Sequence, residues 1–454
     1  MIKIIGSVHG FLWGAPTLVL ILGVGLYLSV RTGFAQIRLF PRAMGNFLRK
    51  LRSREAETEG VSSFQALCTA LAATVGTGNL VGVAGAICLG GPGSIFWMWI
   101  CGILGMVTKY AEAVLAVRYR VRSDGEFLGG PMYIICRGMG QKWKWLAGLY
   151  SFFGVIAAFG VGNATQINAV LSGINDVLGR FGFQESSFRN LTIGVILAVL
   201  MGAMLLGGAK RIGIAAERLI PFVSTAYILL CLGVLIIRWN QIGYAFAAIL
   251  QGAFSPRAVT GGILGSAFQA LKVGCARGVF TNEAGMGTAS IAHASAHTKH
   301  PAQQGLMGIM EVFLDTILIC TLTALVILVS GVPVPYGVDS GGILTINAFD
   351  SVYGGWVSGF LAVALCCFAF ATVLGWGLYG VRCAQFLFGT SVWKPFALLQ
   401  TITVVLGAVM KTETVWLFAE TVNGLMAIPN LIALATLSTE VVRLTKEYTE
   451  NPAT

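Results

Sequence analysis

The sequence predicts an all-α polytopic membrane protein built from two related halves, and three observations carry the prediction. Of 454 residues, 56% are hydrophobic and only 11% are charged, and mean hydropathy is +0.80. Soluble chains carry about 25% charged residues, so a water-soluble enzyme and a disordered chain are both excluded. Eleven segments, at about 11–30, 63–88, 93–117, 146–176, 190–208, 214–237, 262–292, 305–331, 353–388, 396–411 and 414–441, reach or approach the roughly 20 apolar residues of a spanning helix. Such runs in lipid must satisfy their own backbone hydrogen bonds, which makes them helices, and the short alternating segments of a barrel are absent. Two of the spans, five apart, are interrupted at their centres by glycines and polar residues.

The first span reads as an uncleaved helix with its N-terminus outside. Only Lys3 precedes it, no small-residue cleavage site follows, and Arg31, Arg38, Arg42, Arg49, Lys50, Arg52 and Arg54 come after it. The stretch 33–52 mixes Phe34, Ile37, Leu39, Phe40, Phe47 and Leu48 with arginines, the pattern of an interfacial amphipathic helix. With this orientation, 21 basic residues fall in inside loops and six outside, which puts the C-terminus in the cytoplasm. The net charge of +11 therefore reports membrane orientation, not nucleic-acid binding. The ten cysteines lack a secreted spacing, and Cys88, Cys101, Cys231, Cys320, Cys366 and Cys367 lie in apolar stretches as small hydrophobes. Most of the 59 glycines sit inside apolar runs, where they permit close helix contacts.

Span 2 has Thr74-Val75-Gly76-Thr77-Gly78-Asn79 at its centre. A glycine costs about 1 kcal/mol against alanine inside a helix, and polar residues at bilayer depth are paired or line a cavity. A break here releases carbonyls on one side and amide N–H groups on the other. Span 7 repeats the pattern with Gly274, Gly278, Thr281, Asn282, Glu283, Gly285 and Gly287. Tight packing would explain one such run, since Gly78 and Gly82 also fit a small-xxx-small contact. Two runs at matching places in a 5+5 arrangement point to an inverted-repeat transporter that binds its cargo where the broken helices meet. The Gly76–Gly82 run superficially resembles a dinucleotide loop, but its spacing is G-x-G-x-x-x-G and no βαβ unit surrounds it.

The segments ATVGTGNLVGVAGAICLGGPGSIFWMW (73–99), TKYAEAVLAVRYR (108–120), GGPMYII (129–135) and TNEAGMGTASIAHA (281–294) resemble the alanine-or-glycine:cation symporter family (sodium:alanine symporters) of the amino acid–polyamine–cation superfamily. The resemblance covers nearly the whole chain. It implies a leucine-transporter-like fold, with a 5+5 inverted repeat of ten core helices plus one N-terminal helix. Residues 1–62 then hold the extra helix and the amphipathic helix, 63–240 the first repeat and 241–454 the second. It implies sodium-coupled symport of alanine or glycine, with the sodium ion co-transported. The superfamily's common sodium site maps onto Ala72 and Val75 of span 2 and onto Ala369 and Thr372 of span 9. Val373 stands where relatives often carry a second hydroxyl, and Asn79 matches a position of a second sodium site in some relatives.

A small amino acid is a zwitterion, and its two charges set the demands on the site. The carboxylate calls for N–H donors and a positive helix end, which makes Thr77, Gly78 and Asn79 its candidate partners. The ammonium calls for acceptors: carbonyls freed near Thr74 and near Gly274–Arg277, and the side-chain amide of Gln166 on span 4, which reads equally as a bond between helices. Phe280 and Trp376 wall the pocket beside the breaks, leaving room for glycine or alanine but not leucine, or serve as packing. Thr372 belongs to both the sodium and the substrate sets.

Lys109 and Glu112 stand at i, i+3 spacing and can pair. Lys272, Arg277 and Glu283 near the second break are functional candidates as intramembrane charges, Arg277 as an external gate element or a structural ion pair. His293, His297 and His300 read as span-end residues at the cytoplasmic surface. No Ser-His-Asp order, Walker loop or HExxH motif occurs, so neither an enzyme nor an ATP-driven pump is expected. The remaining rivals are a proton-coupled carrier of the same fold and a channel. The expected partners are a small neutral amino acid, sodium and the lipid bilayer, without nucleic acid, in a bacterial inner membrane.

Overall fold

The computed structural model describes residues 2–52, 60–123, 125–180, 182–254, 267–338, 341–409 and 412–450. Arg54, Arg257, Lys411 and the first residues of the expected seventh span, 262–266, lie outside them. The described chain is almost entirely helical, with two small two-stranded sheets, Val61–Ser62 beside Ala296–His297 in parallel and Val121–Ser123 beside Glu126–Leu128 antiparallel.

Among the described residues, seven of the eleven expected spans appear as helices long and apolar enough to cross a membrane, and two more, the second and the eleventh, pass that test if each bent pair of helices is one span. The other two, 262–292 and 396–411, appear as the shorter helices Ala267–Asn282 and Trp393–Gly407. The first span is the helix Ala15–Arg31, with a proline in its first turn where a missing N–H does no harm. The expected amphipathic stretch forms two pieces, Ala35–Arg38 and Phe40–Arg52. Its Phe40 ring meets Phe313 with centroids 4.8 Å apart, so part of its apolar face is used inside the protein.

The helix Ser94–Tyr119 runs through the centre of one bundle, against Pro301–Val312 and Ala267–Asn282. Glycines make this approach possible. A Cβ on Gly308 would lie 2.8 Å from the Lys109 carbonyl, and one on Gly274 would lie 2.3 Å from the Ser94 carbonyl. The long helix Trp356–Phe388 organises the other side, against Lys144–Phe159, Thr165–Arg180, Gly208–Ile237 and Ser63–Thr74. Large apolar side chains such as Phe188, Phe222, Leu229 and Ile236 are exposed on the flanks, as lipid contact requires.

Several of the basic residues expected in inside loops or beside them are paired. Arg118 pairs with Glu440 at 2.9 Å, Arg31 donates to Thr439 at 2.8 Å, and Arg382 pairs with Glu126 at 2.6 Å. The structure reassigns two expectations about charge. Lys109 does not pair with Glu112 but with Glu311 at 2.8 Å, where the carboxylate also meets His293 at 2.9 Å. His293 is fully buried rather than at the surface, its other ring nitrogen 2.7 Å from Gln304. Only His297 of the three histidines is exposed, and His300 caps the helix Pro301–Val312 by accepting the Ala302 amide.

Candidate functional site

The first broken helix begins with a capping box: Ser62 accepts the Gln65 amide and Gln65 accepts the Ser62 amide, each at 3.0 Å. Regular helix runs from Ser63 to Thr74, stops, and resumes in a π turn at Gly78–Gly82, the two arms bent by 52°. Asn79 makes the break. In a continuing helix the Gly76 amide would bond the Ala72 carbonyl; instead it donates to the Asn79 side-chain oxygen at 2.8 Å. The Ala72 carbonyl is thereby released from that bond. The Asn79 amide group in turn donates to the Asp315 carboxylate at 2.7 Å and to the Asp315 carbonyl at 3.1 Å.

The second break falls at the far end of the interrupted stretch, at Glu283, Gly285 and Gly287, and not at Gly274 or Gly278. Helix continues unbroken from Ala267 to Asn282, so the Gly274–Arg277 carbonyls stay within a helical ladder and are not freed. Gly274 and Gly278 are contact glycines; a Cβ on Gly278 would come 3.1 Å from Cys101 Cβ. The chain breaks at residues 283–287, with Glu283 at φ 52°, Gly285 at φ 93° and Gly287 at φ 79°. A left-handed conformation is unusual for glutamate, and surrounding bonds hold it. One oxygen of Glu112 accepts the Gly285 and Gly287 amides at 2.9 and 3.1 Å and the Asn430 side chain at 2.8 Å. Tyr150 donates to the Met286 carbonyl at 3.1 Å.

The two breaks meet. A Cβ on Gly78 would lie 3.2 Å from the Thr281 hydroxyl, so glycine eases this close approach. Beside the contact is a cavity of about 20 Å³ lined by Ala73, Thr74, Gly76, Thr77, Gly78, Gln166, Phe280, Glu283, Thr372 and Trp376, closed to about the space of one water. Of the expected substrate residues, Thr77, Gly78, Gln166, Phe280, Thr372 and Trp376 share this wall, whereas Asn79 faces Asp315 behind it. Of the expected sodium residues, Thr372 is on the wall, and Ala72, Val75 and Ala369 are buried close by in sequence but not on it. Ala369 and Thr372 share the unbroken helix Trp356–Phe388, so the Ala369 carbonyl offers a second lone pair, not a free group. Trp376 reaches its place because residue 162 is glycine; a Cβ there would stand 2.4 Å from Trp376 Cβ.

Glu283 is the acid on the wall, accepting the Trp376 indole N–H at 3.2 Å and the Thr288 hydroxyl at 2.7 Å. The sequence marked it as an intramembrane charge without a role. Asp315 and Glu311, both buried, are not among the expected site residues, although acids in an otherwise apolar span are a readable signal.

The chain matches the sodium:alanine symporter family over residues 1–454. It is 42% identical to the "Sodium/alanine symporter AgcS" of Methanococcus maripaludis, covering 99% of this chain and 97% of that one. It is 37% identical to the "Probable sodium/glutamine symporter GlnT" of Bacillus subtilis, covering 98% of this chain and 90% of that one. Among solved structures, MhsT in complex with L-phenylalanine aligns with a TM-score of 0.58 at 16% identity, over 85% of this chain and 98% of that one; this likeness gives the leucine-transporter-like fold. The chain belongs to the sodium:alanine symporter family: it is a multi-pass membrane protein and a cation-coupled amino acid symporter, not an enzyme.

Proposed function

We propose that the protein carries alanine and glycine together with sodium across the cell membrane by alternating access. The observation that carries this reading is the meeting of two broken helices at one small cavity. The Thr77 and Gly78 amides, at the start of a half-helix, receive the substrate carboxylate, where the helix end is positive. Gln166 supports the substrate's polar end, and Phe280 and Trp376 bound the methyl group. Sodium lies between the carbonyls of Ala72 and Val75 and the Ala369 carbonyl and Thr372 hydroxyl. Asn79 serves this site by holding the Gly76 amide away from the Ala72 carbonyl.

The name of the 42% identical relative supports sodium and alanine. The other relative's name gives glutamine, and the bulky Phe280 and Trp376 on the cavity wall support a small side chain for this chain. Residues 63–240 and 241–454 form the two repeats, after an extra helix in 1–62. The excess of basic residues in alternate loops of the sequence supports a cytoplasmic C-terminus and an external N-terminus, and the bacterial inner membrane is the location proposed. Sodium binding orders the first break and prepares the substrate site, and by linkage the substrate strengthens sodium binding equally. Occupancy then lets one bundle rock against the other.

The buried carboxylates of Glu283 and Asp315 favour one second reading, in which a proton is the coupled cation. Uptake of labelled alanine into proteoliposomes decides between them. Accumulation driven by an inward sodium gradient, with counterflow against unlabelled alanine, is the expected result. Uptake that persists without sodium under a pH gradient would give the proton reading, and flux without counterflow would indicate a channel.

A further inference from the structure

The position of the second break leaves the substrate ammonium without the carbonyls expected for it, because the Gly274–Arg277 carbonyls stay in the helix Ala267–Asn282. The cavity wall offers something stronger. Glu283 is 3% exposed and stands in the left-handed region at φ 52°, where the helix has just ended. Its oxygens accept from two neutral donors, the Trp376 indole at 3.2 Å and the Thr288 hydroxyl at 2.7 Å. A carboxylate has about four acceptor positions, so two donors leave room for a cationic one. The wall also carries Thr77 and Gly78, whose amides begin the second arm of the first broken helix.

Charge balance points the same way. The bundle interior buries Glu112, Glu283, Glu311 and Asp315. Lys109 is bonded to Glu311 at 2.8 Å, where His293 meets the same carboxylate at 2.9 Å, so the lysine charge reaches Glu283 through space and not by a hydrogen bond. Glu112 is occupied with the amides of the second break. A carboxylate held in a low-dielectric cavity by neutral donors is an acceptor for an arriving cation.

We propose that Glu283 receives the α-ammonium group of the substrate while the Thr77 and Gly78 amides take its carboxylate, so that the site selects α-amino acids over acids of the same skeleton that lack the amine. This deepens the symport reading and rests on it.

The test is competition for labelled L-alanine uptake in proteoliposomes of the full chain, with alanine, L-lactate and propionate as competitors, in the parent, Glu283→Gln and Glu283→Asp. In the parent, lactate and propionate should compete at least 100-fold more weakly than alanine. Glu283→Gln should raise the KM for alanine at least tenfold and narrow the alanine-over-lactate preference at least tenfold. Glu283→Asp, which keeps the charge, should restore most of that preference. A parent that lactate inhibits as well as alanine does overturns the proposal whatever the variants do. A Glu283→Gln protein that keeps the full preference, at whatever rate, overturns the ammonium assignment and leaves alanine symport standing. A parent without sodium-driven alanine uptake overturns both.

Discussion

Asn79 donates to Asp315 at 2.7 Å and accepts the Gly76 amide at 2.8 Å, so a single side chain opens the first helix and ties the opening to the span Pro301–Val329. The break is therefore a hydrogen-bonded structure rather than a mere weakness of the helix. Thr316 holds the second Asp315 oxygen at 2.7 Å, completing a buried network in which each member depends on the others.

Replacing Asn79 with alanine removes three partners at once. Asp315 keeps only Thr316, and the Gly76 amide is free to return to the Ala72 carbonyl. The expected outcome is a loss of about 1–3 kcal/mol in stability, typical of a buried polar group left unsatisfied, together with loss of sodium stimulation of uptake. Thermal unfolding in detergent and sodium titration of uptake measure the two. Unchanged sodium stimulation in a folded Asn79→Ala protein would refute the role given to this residue.

Thr372 bonds the Phe368 carbonyl at 3.0 Å, and its hydroxyl lies 3.1 Å from where a Gly76 Cβ would stand. Thr372→Ala should raise the sodium concentration for half-maximal alanine uptake at least tenfold, and Thr372→Ser should stay near the parent. Identical sodium curves for Thr372→Ala and the parent would show that the ion sits elsewhere.

Lys109, Glu311, His293 and Gln304 form a fully buried chain of charge and hydrogen bonds. Removing one partner of a buried ion pair costs about 3–5 kcal/mol because the other is stranded, whereas an apolar replacement of the pair is often tolerated. Lys109→Met should therefore lower the unfolding temperature more than the double variant Lys109→Met, Glu311→Met. A single variant as stable as the parent contradicts the pairing.

Gly162 leaves space for the Trp376 side chain, and a methyl group at 162 would meet Trp376 Cβ at 2.4 Å. Gly162→Ala should push the indole into the cavity and discriminate by size, so that alanine uptake falls more than glycine uptake at equal protein in the membrane. Equal losses for both substrates would mean that Trp376 does not bound the substrate side chain.

What the sequence made legible follows from how local each signal is. The first break was readable because Gly76, Gly78 and Asn79 act within four residues of one another, and Asn79 does its work on the Gly76 amide nearby. The second is marked correctly by Glu283, Gly285 and Gly287, but a glycine that breaks a helix and a glycine that admits a neighbour look alike, which is why free carbonyls are also expected at Gly274–Arg277. Gly274 and Gly278 fit against the helix Ser94–Tyr119, and the true break follows them, held by Glu112 and Asn430 from other helices. The spacing of Lys109 and Glu112 invited a local pair, but the actual partner, Glu311, lies 202 residues away. Of the site, Thr77, Gly78, Gln166, Phe280, Thr372 and Trp376 share one cavity wall. Glu283 joined them only when folding brought the breaks together.

The most direct test of sodium and substrate meeting at the first break is equilibrium binding of labelled alanine to the purified protein across a series of sodium concentrations, with the reciprocal sodium titration at fixed alanine. The account predicts that alanine affinity rises with sodium and that sodium affinity rises with alanine by the same factor. An alanine Kd that is the same with and without sodium would contradict it.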